Sequence, residues 1–161
     1  MLRFCLTLLR LLLAGWVGAA VLFVVVGVRE ITSPEVDSAT RDALVLIRFP
    51  AYYAYGAGSL AMAFVCCLAA RGLSLANRAV MNTCLALIAI AGLLMVADYV
   101  WIYSPLVEML NSPGGTRPQN FVAYHEASKW INAAGLAVAL LAAVLSSWMR
   151  EKDEGGRMKA E

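Results

Sequence analysis

The sequence predicts an all-α polytopic membrane protein, a bundle of four transmembrane helices with an extra amphipathic helix in the first outer loop. The first observation is composition: 61% of the 161 residues are hydrophobic and only 15% are charged, whereas soluble domains are closer to half apolar and a quarter charged. Mean hydropathy is +0.73. The second observation is that the apolar residues form four long blocks with the charges between them, which is the membrane pattern. The net charge of +2 is too small to indicate a nucleic-acid partner.

Each of the four blocks is long enough to cross a bilayer as one helix, which takes about 20 apolar residues for ~30 Å of hydrocarbon. The blocks are residues 11–28, about 51–70, about 80–103 and about 130–149. The first block starts like a signal peptide, but Arg10 interrupts it and the apolar run continues to Val28, so we expect a retained helix. Residues 1–150 are then one transmembrane domain, and residues 151–161 are a charged cytoplasmic tail.

The distribution of Lys and Arg predicts the orientation of the bundle. Eight of these residues lie at the two termini and in the second loop, and five lie in the first and third loops. Because cytoplasmic segments carry the excess of Lys and Arg, we expect both termini in the cytoplasm. The expected location is a bacterial inner membrane.

The first outer loop has the signals of a short helix of its own. Ser33 is a candidate N-cap and Pro34 suits the first helical position, with acidic residues following in the first turn. We therefore expect an amphipathic helix over residues 34–47, lying on the membrane or on the bundle. Pro50 should then mark a kink or a restart before the second span.

The last helix should begin near Pro118, well before its apolar part, because the Pro-Gly-Gly sequence at 113–115 signals a turn. Trp130 and Trp148 are 18 residues apart, which places them on one face and about 27 Å apart along the helix axis. That spacing is typical of two aromatic anchors at the two membrane boundaries. The polar residues around Trp130 should therefore lie at the outer boundary.

A polar stripe near the start of this helix is the main candidate site. At about 100° per residue, His125, Ser128, Lys129 and Asn132 share one face, and Trp130 lies almost opposite. A Trp130 that faces lipid turns the stripe toward the bundle, which is where polar groups of a membrane helix belong.

Asp98 of the third block is the second informative residue. It precedes Trp101 by three positions, so it should lie about one turn inside the boundary and point at a neighbouring helix. A carboxylate at that depth is costly unless it is paired or protonated. The available cationic partners are Lys129, His125 and Arg48.

We therefore predict that His125 and Asp98 form one coupled polar cluster at the outer boundary. Ser128 and Asn132 should complete its hydrogen bonds, and Tyr52 of the second helix can line the same space. Such a site suits an ion, a proton or a lipid head group. The alternative is that these groups form interhelical hydrogen bonds that only fix the packing.

Sulfur-containing side chains offer a weaker alternative site. Cys66, Cys67 and Cys84, with Met62 at a similar depth, are soft ligands that suit Cu(I). However, vicinal cysteines point in two directions on a helix, no C-x-x-C is present, and cysteine is an ordinary small buried residue. Haem is less expected still, because a chain with one histidine cannot supply two histidine ligands. No cofactor is predicted, with copper and haem as the low-ranked alternatives.

Two stretches, FPAYYAY at 49–55 and FVAYHEASKWIN at 121–132, carry a resemblance to a known family. They resemble the transmembrane-protein-205-like family, small four-helix membrane proteins that form a domain of unknown function. The shared pattern is F-P-x-Y-[YF] at the entry to the second helix and H-x-x-S-x-x-x-N at the entry to the last. The resemblance covers about residues 10–150 and implies a fold and a membrane location but no reaction. More remotely, the layout is similar to that of copper-resistance membrane proteins.

Two classes of function fit these observations. The first is a non-enzymatic membrane factor that binds a partner, a lipid or a small ligand through the outer polar site, because no catalytic motif is recognisable. The alternative is a metal-handling, copper-type protein or a small-solute transporter. Against it, the four blocks have no charged residue midway across, where a translocation path needs polar groups. Besides the bilayer, the expected partners are a second copy of the chain or another membrane protein.

Overall fold

The computed structural model describes residues 1–73, 78–110 and 119–149, and its regular secondary structure there is entirely helical. The α-helices are α1 (Leu2–Thr32), α2 (Ser38–Leu73), α3 (Arg78–Asp98), α4 (Ser104–Leu110) and α5 (Phe121–Ser147). A π-helical turn, Tyr99–Tyr103, joins α3 to α4 without a break. Four stretches, namely α1, α2, the continuous 78–110 segment and α5, are long and apolar enough to cross a membrane. The predicted number of long apolar helices is thereby confirmed.

The four long helices pack in a ring, with α1 and α3 each lying against both α2 and α5. Side chains establish which helix ends meet. Arg10 of α1 donates to the carbonyl oxygens of Ser146, at 3.0 Å, and Met149, at 2.6 Å. Arg71 near the end of α2 donates to Asn82 near the start of α3 at 2.6 Å. The start of α1, the end of α2, the start of α3 and the end of α5 therefore lie together, and we call this the terminal end. The opposite end is the loop end.

The first loop differs from the prediction of a separate amphipathic helix over residues 34–47. Helix α2 begins at Ser38 and runs without interruption through Pro50, so most of that segment is the first part of the second long helix. The proline is exposed, whereas Phe49 packs against the core and Tyr53 is buried in it. The packing of these neighbours holds the helix together across the backbone hydrogen bond that proline cannot make.

The cap of α2 also differs from the sequence prediction. Asp37, not Ser33, is the N-cap, because its Oδ1 accepts a hydrogen bond of 2.7 Å from the backbone N–H of Thr40. Pro34 lies in the turn that precedes the helix. The Thr40 hydrogen bonds lower the pKa of the Asp37 carboxyl, since they favour its ionised form.

Helix α5 begins at Phe121, three residues after the predicted start at Pro118, and the backbone N–H of Tyr124 binds the Asn120 carbonyl at 3.1 Å. Pro118, the Pro-Gly-Gly turn at 113–115 and the tail at 151–161 lie outside the described residues. Trp130 and Trp148 are 75% and 74% exposed. Both rings thus point away from the bundle, as the prediction of two lipid-facing anchors requires.

Close contact among α1, α2 and α3 depends on one glycine. A Cβ atom built on Gly56 of α2 would lie 2.5 Å from the Met95 Cε of α3 and 2.6 Å from the Trp16 ring of α1. A hydrogen at this position lets three helices approach each other directly below the polar residues of α2, as small residues do in membrane bundles.

Candidate functional site

Asp98 occupies the centre of a polar cluster between α2, α3 and α5. Its side chain is completely buried, and within the described ranges no other Asp, Glu, Lys or Arg is classed as buried. Ionisable side chains inside membrane-type helices are rare and usually have a function.

Two side chains from different helices donate hydrogen bonds to the same oxygen of Asp98. The hydroxyl of Tyr53 on α2 donates to Oδ2, and Nδ2 of Asn132 on α5 donates to Oδ2 at 2.5 Å. Asn132 Nδ2 also lies 2.9 Å from the Ser128 carbonyl oxygen and 3.2 Å from Ser128 Oγ. Tyr52 completes the group by donating its hydroxyl to Asn132 Oδ1 at 3.3 Å. We call these five residues the Asp98 cluster.

The second carboxyl oxygen of Asp98 has different surroundings from the first. Oδ1 is buried and has no hydrogen-bond partner among the residues that the structure describes. A buried polar atom left in this state costs about 1–3 kcal/mol, and more when it is charged. Native proteins retain such an atom where it has a role or binds a ligand. Oδ1 is therefore the atom of this site that is available to bind a ligand.

Aromatic rings surround the cluster on the side of α2 and the π-helical turn. The ring centroid of Tyr53 lies 5.1 Å from that of Tyr99 and 5.0 Å from that of Tyr103. The ring of Tyr52 lies 4.9 Å from that of Trp16 on α1. These contacts keep the cluster in apolar surroundings, where hydrogen bonds and charges act more strongly than in water.

The helix itself changes geometry immediately after Asp98. In the turn Tyr99–Tyr103 the backbone N–H of Ser104 binds the Tyr99 carbonyl five residues back, and the Ser104 hydroxyl donates to the same oxygen at 2.8 Å. The wider turn shifts the register of the tyrosines that follow Asp98. Single π-helical turns of this kind are frequent at functional sites.

A small void lies beside the cluster. Its volume is about 10 Å³, and Trp16, Tyr52, Leu94 and Asn132 are among the residues that line it. One water molecule needs about 10–15 Å³ measured in this way. The void therefore admits a single water at most and has no space for an organic molecule.

Two residues of the predicted stripe do not join the cluster. His125 is exposed, and its ring stacks on Phe121 with the ring centroids 6.4 Å apart. Lys129 is exposed as well and pairs with Glu126 at 2.8 Å. His125 lies near the start of α5, one turn before the buried Ser128. The flexible chain of Lys129 turns back to an acid one helical turn away.

The third predicted cation, Arg48, is also engaged elsewhere. Its guanidinium pairs with Glu30 and lies 5.0 Å from the ring centroid of Phe23. Among the described residues, Tyr53 and Asn132 are therefore the hydrogen-bond donors to Asp98, and its predicted cationic partners are not.

Tyr53 is the member of the Asp98 cluster that the sequence did not place there, although it belongs to the F-P-x-Y-[YF] pattern. A signal for it was present in α2. Every third or fourth position from Tyr53 onward is buried, namely Gly56, Leu60, Ala63, Cys67 and Ala70. This series marks the face of α2 that enters the bundle, and Tyr53 is its first member.

The sulfur atoms of the weaker alternative converge only in part, because the thiols of Cys67 and Cys84 interact with each other. Cys67 and Cys84 are fully buried, and their thiols donate to the backbone carbonyls of Met81, at 3.7 Å, and Ala142, at 3.8 Å. Met62 is 49% exposed on the outside of the bundle. In the described part of the chain no three side chains of the His, Cys, Asp or Glu type form a group that would hold a metal ion. Apart from this thiol pair, the described contacts of Cys67 and Cys84 are those of packing residues.

Comparison with known proteins adds no family. No protein-family model matches the chain, and neither a curated protein nor a solved structure matches it. The resemblance to the transmembrane-protein-205-like family stays a prediction, and the site is interpreted from its own geometry.

Proposed function

We propose that this protein is a non-enzymatic integral membrane protein that binds a ligand the size of one water molecule or one ion at the Asp98 cluster. The observation that carries the proposal is the asymmetry of the buried carboxyl. One oxygen accepts hydrogen bonds from Tyr53 and Asn132, and the other has no partner within the described residues. Groups of this type inside membrane helices commonly bind ions or protons.

The size of the void narrows the range of ligands. The sequence left open a protein partner, a lipid or a small ligand. Pockets for organic ligands usually enclose about 300–1,000 Å³, whereas the void beside Tyr52 and Asn132 has about 10 Å³. A lipid head group at this site would require the helices to separate, so we favour the smallest ligands.

Two features support a binding role over catalysis. The described hydrogen-bond partners of Asp98 are a phenol and an amide, which do not form a nucleophile–base pair of the kind that covalent catalysis uses. The single histidine, His125, is exposed rather than directed at Asp98. The copper alternative has the thiol pair of Cys67 and Cys84 but no third ligand of the His, Cys, Asp or Glu type among the described residues. The transport alternative gains no supporting observation from them.

The proposal includes the membrane setting. The described residues at the terminal end include Arg3, Arg10, Arg71 and Arg78 and no acid, which supports a cytoplasmic location for both termini. The Asp98 cluster then lies near the outer face of a bacterial inner membrane. Membership of the transmembrane-protein-205-like family, and association with a second copy or another membrane protein, remain part of this proposal.

Thermal unfolding of the purified protein in detergent tests the proposed function. A ligand that binds only the folded state raises the unfolding midpoint. We expect the midpoint to respond to pH, or to one of Na⁺, K⁺, Li⁺ and Mg²⁺ at constant pH and ionic strength. Asp98→Asn should abolish that response. Glu126→Gln, which removes an exposed acid at the same end of the bundle, should retain it. Identical responses of the wild type and Asp98→Asn would contradict the proposal.

A further inference from the structure

We infer that the ligand of the Asp98 cluster is a proton, which is taken up by Oδ1 of Asp98, and not a metal cation. The inference rests on the proposed function and names its ligand. The reaction is a simple association: a proton from water forms an O–H bond with Oδ1, and the carboxylate becomes a neutral carboxylic acid. Release restores the carboxylate and returns the proton to water.

The orientation of the Asn132 amide disfavours a metal cation at this site. Its NH₂ group faces three acceptors, which are Asp98 Oδ2, the Ser128 carbonyl and Ser128 Oγ. Its carbonyl oxygen accepts the Tyr52 hydroxyl. The opposite orientation would place the amide oxygen against the carboxyl and carbonyl oxygens, so the hydrogen-bond network selects the observed one. The amide thus presents positive hydrogens to Asp98, and these repel a metal cation.

The number of oxygen ligands around Oδ1 also disfavours a metal cation. Hard metal cations in proteins take about six or more oxygen ligands, supplied by carboxylates, carbonyls and waters. Here the hydroxyl of Tyr53 is directed at Oδ2 as a donor, and the amide oxygen of Asn132 is occupied by Tyr52. The void that Tyr52 and Asn132 line has room for one water at most, and Asp98 is not among its lining residues. Oδ1 therefore cannot gather a coordination shell, but a proton needs none.

The two hydrogen bonds to Oδ2 fit both protonation states of Asp98. When Asp98 is ionised, the donors Tyr53 and Asn132 stabilise the charge on Oδ2. When Asp98 is neutral, Oδ2 is the carbonyl oxygen and accepts the same two hydrogen bonds, while Oδ1 carries the proton. The unpartnered state of Oδ1 is what distinguishes the atom that gains and loses the proton.

The charges around the cluster allow the neutral form to compete. From α2, the groups that face Asp98 are the phenols of Tyr52 and Tyr53, and from the π-helical turn the phenols of Tyr99 and Tyr103 surround Tyr53. From α5 they are the uncharged Ser128 and Asn132, since His125 and Lys129 are exposed. From α1, Trp16 packs on Tyr52. A carboxylate in such surroundings, with no described cation as its partner, is costly, and protonation removes that cost.

Infrared difference spectroscopy tests the inference directly. In purified protein we expect a carboxylic-acid C=O band that shifts in D₂O and converts to carboxylate bands as the pH is raised. Asp98→Asn should lack the band, and Glu126→Gln should retain it. Tyr53→Phe removes one donor to Oδ2 and should move the C=O band to higher wavenumber. The Tyr53→Phe measurement remains informative if Asp98→Asn fails to fold.

Different outcomes separate this inference from the proposed function. If Na⁺, Li⁺ or Mg²⁺ at constant pH stabilises the wild type but not Asp98→Asn, and no acid band is present, a cation is the ligand; the proposed function then stands and the proton inference fails. A carboxylate at every pH, or an acid that never releases its proton while the protein stays folded, also contradicts the inference. If neither pH nor cations affect the wild type through Asp98, the proposed function fails with it.

Discussion

At Asp98, a difference between two oxygen atoms of one side chain carries most of the functional argument. Oδ2 accepts hydrogen bonds from two helices, whereas Oδ1 has no partner in the described chain. A carboxyl used only for packing would gain from having both oxygens satisfied, because each unsatisfied atom costs stability. The contrast between Oδ1 and Oδ2 therefore favours a role for Asp98 beyond holding helices together.

Double-mutant cycles can show which residues communicate with Asp98. Asp98→Ala and Tyr53→Phe should each lower the free energy of unfolding by on the order of 1 kcal/mol. The double mutant should lose less than the sum, with a coupling energy of about 1 kcal/mol, because the second change removes a group that already lacks its partner. Unfolding in bicelles or by SDS titration measures these energies.

The matched control for this cycle is His125→Ala, combined with the same Asp98→Ala change. His125 is exposed and stacks on Phe121, so its loss should add to that of Asp98 without coupling. Strong coupling of His125 to Asp98, with additive behaviour of Tyr53, would restore the cluster that the sequence predicted and overturn the one in the structure.

At the scale of helices, the approach of α1, α2 and α3 positions the cluster. Gly56 lies one turn below Tyr53 on the buried face of α2, where any Cβ would meet Trp16 and Met95. Close approach at this level brings the Tyr53 hydroxyl within reach of Asp98 on α3. The geometry of the site thus depends on a residue that has no polar atom in its side chain.

Gly56→Ala tests this dependence. The added methyl group should lower the free energy of unfolding by about 1–3 kcal/mol, the usual cost of overpacking a core. Gly58→Ala on the same helix is the control, because a Cβ there meets nothing within 4 Å and alanine is the better helix former. Thermal unfolding followed by circular dichroism compares the two variants. Equal losses of stability for both would mean that the contact around Gly56 is not tightly packed.

At the scale of the whole molecule, the charges of the described residues are divided between the two ends of the bundle. Arg3, Arg10, Arg71 and Arg78 are at the terminal end with no acid in the described sequence beside them. One of them, Arg10, also binds the last carbonyls of α5, groups that a helix end leaves without partners. Arg10 thus satisfies backbone carbonyls, and the four arginines together support the orientation proposed above.

Labelling of single cysteines in intact cells tests that orientation. In a variant that lacks the four native cysteines, Ser38→Cys at the loop end should react with a membrane-impermeant thiol reagent. Gly72→Cys at the terminal end should react only after lysis, because positively charged ends remain in the cytoplasm. Both native residues are exposed. The reverse labelling pattern would place the Asp98 cluster near the cytoplasmic face instead.

Helical geometry explains which of the predicted site residues enter the Asp98 cluster. Ser128 and Asn132 were predicted to face inward, and both enter the cluster, because helical periodicity relates residues that belong to one rigid helix. His125 was predicted on the same face but is exposed, because angular position along one helix does not by itself determine which residues other helices cover. Tyr53 was missed, because its hydrogen bond joins residues 45 positions apart in the chain.

Sequence by itself determined the properties that depend on composition and local order. Four long apolar stretches required four long helices, since a backbone in apolar surroundings must satisfy its hydrogen bonds within each segment. Only the tertiary structure decided the partners of Asp98, the continuity of α2 through Pro50 and the separation of the cysteines from Met62. These features depend on which faces of different helices meet. That choice is made by packing contacts between distant parts of the chain, such as the approach at Gly56, which no local pattern in the sequence specifies.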